Sequence, residues 1–124
     1  QASAIYCPDP QKATAGIHFM RVLQTLGLHE SLRDRLRVFP NGATAMAAMA
    51  ASTESPLIGC TQVTEIMFTP GVELIGTLPQ PFELTTTYTA AINTRARFAK
   101  QAQVLIDLMT SPGRAALRSQ VGFS

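Results

Sequence analysis

A chain of 124 residues, 46% hydrophobic and 15% charged, has the size and composition of one globular domain with a sizeable core. Its formal net charge of +2 leaves no nucleic-acid footprint: the densest basic cluster, Arg33, Arg35 and Arg37, is broken by Asp34 and holds no ring for stacking. No apolar run approaches the roughly 18 residues that a membrane-spanning helix needs. Gln1 opens the chain with no secretory signal after it, so the sequence reads as a processed chain or a piece of a larger one.

Ser3-Ala-Ile-Tyr-Cys7, stopped by Pro8-Asp9-Pro10, reads as a strand entering a loop. From Ala15 the period changes. Phe19, Val22, Leu23 and Leu26 fall on one helical stripe opposite His18, Arg21 and Thr25, and Gly27 sits where a C-terminal cap belongs. Leu36 to Phe39 reads as a second strand. Ala43 to Ala51 is a helix of small residues and Met, with Asn41 or Gly42 near its N-cap. Leu57 to Cys60 is a third strand, and Val63 to Phe68 a short helix closed by Thr69-Pro70-Gly71. Val72 to Ile75 is expected as a fourth strand, and the alternating, Thr- and Tyr-rich Leu84 to Ile92 as a longer one. Asn93 or Thr94 is expected to cap a helix carrying Phe98, Ala102, Leu105, Ile106 and Met109 on one stripe. Ser111-Pro112 then opens a last helix, Gly113 to Gln120, ended by Gly122.

Strands alternating with helices imply an α/β fold, a doubly wound, mainly parallel sheet with helices on both faces, in a single lobe over residues 1–124. Such sheets bind ligands outside the carboxyl ends of their strands. That rule nominates Pro8 to Gly16, Pro40 to Thr44 and Thr61 to Glu65 as one neighbourhood.

Catalytic chemistry is poorly supplied there. No nucleophile elbow, metalloprotease, Walker or dinucleotide motif is present, so the expectation is no enzyme, no metal and no cofactor. His18 and His29 read as surface residues, Asp9 as a turn residue between prolines, and Glu65 as a first-turn helix residue. A small enzyme using Asp9 and Glu65 stands as an alternative. Cys7 and Cys60 match no metal or redox spacing and are expected to be free thiols. Anion binding is better supplied, because the first turn of a helix exposes unpaired N–H groups and the positive end of its dipole. Thr14-Ala15-Gly16-Ile17 and Asn41-Gly42-Ala43-Thr44 both allow close approach to the backbone, while Thr61, Gln62 and Thr64 offer neutral donors. Lys12 is the one cation in these loops.

Four stretches carry a likeness to a known family: "DPQKATAGIHFMRVLQTLGL", "SPLIGCTQVTEI", "PGVELIGTLPQPFELTTTYTAAI" and "LIDLMTSPGRAALRSQVGF". In consistent order over nearly the whole chain they resemble the periplasmic molybdate-binding proteins of ABC importers and, more broadly, the type 2 solute-binding proteins. The resemblance implies a periplasmic lobe that holds a small oxyanion, molybdate, tungstate or another, and delivers it to a membrane permease. It covers the second lobe and C-terminal segment, with residues 84–124 including the hinge strand. Ala15 and Ala43 match the family's backbone donors, while Thr14 and Thr44 are candidate neutral donors by their own chemistry and Gly42 belongs to the second helix start. Where the molybdate binders carry a Tyr, this sequence has Gln62, or Thr61 if the gap shifts by one. A ligand-sensing domain of a transcriptional regulator with the same fold is the rival reading. A lobe without its counterpart is also expected to self-associate through a cleft face rimmed by Phe39 and Met46.

Overall fold

The structure, a computed structural model, describes residues 2–123. Its order is β1 (Ala4–Pro8), α1 (Thr14–Thr25), α2 (His29–Leu32), β2 (Leu36–Phe39), α3 (Gly42–Ala50), β3 (Leu57–Gly59), α4 (Val63–Phe68), α5 (Ala99–Thr110) and α6 (Ala115–Gln120). Single 3-10 turns, Arg33–Arg35 and Pro112–Arg114, lead into β2 and α6. The chain divides into two compact units, one running to Leu84 and one from Thr85.

The first unit is an α/β layer around a three-stranded sheet in the order β2-β1-β3. Both pairings are parallel, with Cys7 opposite Val38 in one ladder and Tyr6 opposite Gly59 in the other. Parallel strands need crossover connections, and a helix provides each one. β1 lies in the middle and all five of its residues are buried. Ala4 and Tyr6 pack with Ala45 and Met46 of α3. By the two-residue period of a strand, Ile5 and Cys7 face the opposite side. The crossovers β1-α1-β2 and β2-α3-β3 run in opposite directions along the sheet. Right-handed connections therefore place α1 and α3 on opposite faces.

Two helix ends show how local sequence sets the boundaries. α1 stops in a Schellman motif: the Leu28 N–H reaches the Leu23 carbonyl at 2.8 Å and the Gly27 N–H the Gln24 carbonyl at 3.0 Å. Gly27 takes φ 67°, a conformation that costs other residues a steric penalty. α3 starts at Asn41, whose backbone is extended and whose Oδ1 accepts the Thr44 N–H at 2.8 Å.

Four expectations fail. Met46 is 1% exposed, so it is a core residue beneath Tyr6 and no part of an open rim. Phe39 is half-buried and stacks on Tyr6 with ring centroids 5.6 Å apart. Val72 to Ile75 forms no strand: Val72 packs on the core, but Ile75 is 84% exposed and among the described residues no strand pairs with this backbone. Leu84 to Ile92 forms none either: among the described residues no strand pairs with its backbone. Asn93 caps a turn rather than a helix, its Oδ1 accepting the Arg95 N–H at 2.8 Å, and α5 begins only after Phe98.

In the second unit, Arg118 joins the two helices by donating to the carbonyls of Met109 and Ser111, both at 2.9 Å. The edge of the Tyr88 ring meets the face of Phe123, or the reverse, with centroids 5.6 Å apart. No described residue from Thr85 onward is buried.

Candidate functional site

Because β1, β2 and β3 are parallel, their carboxyl ends at Pro8, Phe39 and Gly59 share one edge of the sheet. Each then runs through a short loop into the start of α1, α3 or α4. The chain reverses its direction of winding beside β1, the place where open α/β sheets form a crevice.

At the first loop Asp9 is the turn residue its prolines suggest. Its Oδ1 accepts the N–H groups of Gln11 at 2.7 Å and Lys12 at 3.2 Å. α1 then begins with no side-chain cap on Ala13 and no acid in its first turn. Thr14 is exposed, Ala15 half-buried and Gly16 buried. A methyl group on Gly16 would collide with the carbonyls of Pro8 and Asp9, so only glycine lets the helix start this close to the end of β1.

At the second loop Asn41 engages both polar groups of Thr44, the N–H at 2.8 Å and the hydroxyl at 2.9 Å. Thr44 is therefore occupied by the helix cap. Gly42 and Ala43 supply the first-turn N–H groups that this cap does not take. Ala43 is exposed, whereas Gly42 is buried.

The third loop explains the burial of Gly42. A Cβ there would fall on the Thr61 hydroxyl and the Glu65 carboxylate. Thr61 donates its hydroxyl to Glu65 Oε2. Gln62 is the N-cap residue of α4, and its carbonyl accepts the Glu65 N–H at 3.0 Å. The structure thus brings Gly42, Thr61, Gln62 and Glu65 together, while Thr14 and Ala15 reach the same edge by the parallel topology. Sequence reading placed Glu65 correctly in the first turn of α4 but missed that its charge stands against the start of α3. The four-residue spacing of Thr61 and Glu65 was the available signal.

Asp9 and Glu65 each have partners of their own. His18 is no free surface group: it is half-buried, and its Nε2 donates to the Phe82 carbonyl at 2.7 Å. His29 pairs with Glu30 at 3.0 Å. Arg37 lies 3.6 Å from Glu54 and donates to the Asp34 carbonyl at 3.0 Å, in keeping with a solvated basic cluster. No group of three or more His, Cys, Asp or Glu side chains among the described residues is placed to hold a metal ion. Nor is any described helix long and apolar enough to cross a membrane.

Residues 3–124 match the family described as bacterial extracellular solute-binding protein. Over 104 residues the chain is 25% identical to a Pseudomonas protein named aconitate isomerase, an alignment covering 83% of this chain and 38% of that protein. The chain thus spans well under half the length of that relative. The family match takes in both compact units, and the chain belongs to the bacterial extracellular solute-binding proteins.

Proposed function

We propose that this member of the extracellular solute-binding family is a non-enzymatic, periplasmic ligand-binding lobe of an importer, holding a small anion at the carboxyl edge of its sheet. The observation that supports this reading is the start of α1. It is uncapped by any side chain, free of acids in its first turn, and pressed against the end of β1 by Gly16. The first N–H groups of such a helix, with the dipole behind them, favour an anion. Thr14 and Ala15 would supply donors there, joined by Gly42 and Ala43 of α3 and by the Gln62 side chain, while the Thr61 hydroxyl would join them only by leaving Glu65. The Thr44 N–H and hydroxyl are already satisfied by Asn41, so Thr44 would act by shaping the cap.

The anion class comes from two directions. The family resemblance points to tetrahedral oxyanions such as molybdate and tungstate. The Pseudomonas relative is named for action on aconitate, a carboxylate. Both ligand types present oxygens to backbone N–H groups, and a membrane permease would be the partner of the importer component. A sensor domain with the same fold would use the same edge.

Calorimetry with molybdate, tungstate, sulfate, phosphate and aconitate tests the proposal. Two helix starts offer only part of the shell that dehydrating an oxyanion requires, so the expected Kd is about 0.1 mM or weaker. Ala43→Pro, which removes one N–H at a position where the first helical turn tolerates proline, should abolish measurable binding. Lys12→Ala should change affinity less than about tenfold. If Lys12→Ala abolished binding and Ala43→Pro spared it, the backbone account would be wrong. Conversion of aconitate would instead give the chain its relative's named activity.

A further inference from the structure

Cys7 and Cys60 play no part in the edge just described, and their placement is unusual. The β1–β3 ladder pairs Ala4 with Leu57, Ile5 with Ile58 and Tyr6 with Gly59. The Cys60 N–H continues it, donating to the Tyr6 carbonyl at 3.0 Å. That bond sets Cys60 opposite Cys7, and paired residues on parallel strands project to the same face. Cys7 is 1% exposed and Cys60 half-buried.

The spacing decides what such a pair can do. Neighbouring strands lie about 4.8 Å apart. A disulfide needs its Cβ atoms within roughly 3.5–4.5 Å and its sulfurs at about 2.05 Å. A linear thiolate–metal–thiolate unit, with bonds of about 2.3 Å, holds its sulfurs about 4.6 Å apart, which side chains standing roughly perpendicular to the sheet on neighbouring strands can reach without leaning together. We propose that Cys7 and Cys60 form a two-thiolate site for a soft, monovalent cation of the copper(I) and silver(I) kind, held in linear coordination between β1 and β3. Soft thiolate pairs select such ions over harder divalent ones. Met46 and Met49, the soft side chains nearest this end of β3, approach Gly59 from the side of α3, the opposite face by the two-residue period.

Burial, with a smaller contribution from the neighbouring Cys7, pushes the Cys60 thiol up to about 11, and burial also raises that of Cys7. A thiol with the ordinary pKa of about 8.5 is already protonated at pH 7, so both sulfurs carry protons to release on binding. On binding, two S–H bonds break, two metal–sulfur bonds form and both protons leave to solvent. No electron changes hands.

Silver(I) nitrate in chloride-free solution provides the probe. At pH 7 a pH-stat titration of the full chain should show one ion bound and two protons released, and X-ray absorption should find two sulfur neighbours. Cys60→Ser and Cys7→Ala, checked for folding by circular dichroism, should each bind at least 100-fold more weakly. Release of a single proton, or binding by folded Cys60→Ser within threefold of wild type, would overturn the proposal. So would prompt closure of a Cys7–Cys60 disulfide in the native protein by oxidised glutathione, since the two side chains would then lean together rather than hold the separation the site needs. The wild-type proton count decides the matter even if Cys7→Ala does not fold.

Discussion

Glu65 sits where an anion site would least welcome it. Its carboxylate lies against the first residue of α3 and is held there by the Thr61 hydroxyl. It complements the α3 dipole in the absence of ligand, and it competes with any anion that seeks the same N–H groups. Glu65→Gln keeps an oxygen acceptor for Thr61 while removing the charge. Affinity for fully ionised oxyanions such as molybdate should rise about tenfold, which calorimetry reads directly. A fall instead would mean that the carboxylate helps to build the site rather than competing for it.

At the scale of elements, the cap of α3 offers a clean test of what holds the second loop. Asn41→Ala removes the acceptor for both the N–H and the hydroxyl of Thr44. A loss of about 1 kcal/mol is expected, seen as a lower urea midpoint with unchanged slope, while Thr44→Val should cost less because the N–H bond survives. The cap was legible in the sequence, as were α1 with its Gly27 terminus, β2 and α4, because each is specified by neighbours in the chain. Leu84 to Ile92 was not. Its Thr, Tyr and alternating apolar residues suit a strand, but a strand exists only with a partner for its ladder, and none is supplied among the described residues. Met46 misled in the opposite sense. Its place in a run of alanines gives no hint that it fills the space beneath Tyr6 rather than lining a cleft. The candidate site was legible as loops, from the order of strands and helices. The contact of Gly42 with Glu65 was not, because it joins residues 23 positions apart through the fold alone.

For the molecule as a whole, core residues are unevenly shared. Every fully buried hydrophobic side chain, from Ala4 to Met46, belongs to the unit that ends at Leu84. The segment from Thr85 to Phe98 has no regular secondary structure, and Tyr88 and Phe98 in it are more than half exposed. Brief digestion with chymotrypsin should therefore cut first at Tyr88 or Phe98, leaving a fragment ending at one of these residues that melts cooperatively. Mass spectrometry of the products checks this. First cuts within α1 or α3 would show that the first unit is not stable by itself.

β1 is at once the central strand of the sheet and the first of the three to be synthesised. Its partners on β2 begin at Leu36 and those on β3 at Leu57, so until both have emerged Ile5, Tyr6 and Cys7 have no ladder to join. Closing such long-range parallel pairings is slow, and an unpaired apolar strand is a template for the wrong neighbour. The segment that later mounts the candidate ligand loops is thus the one most in need of a chaperone's cover while the chain is being made.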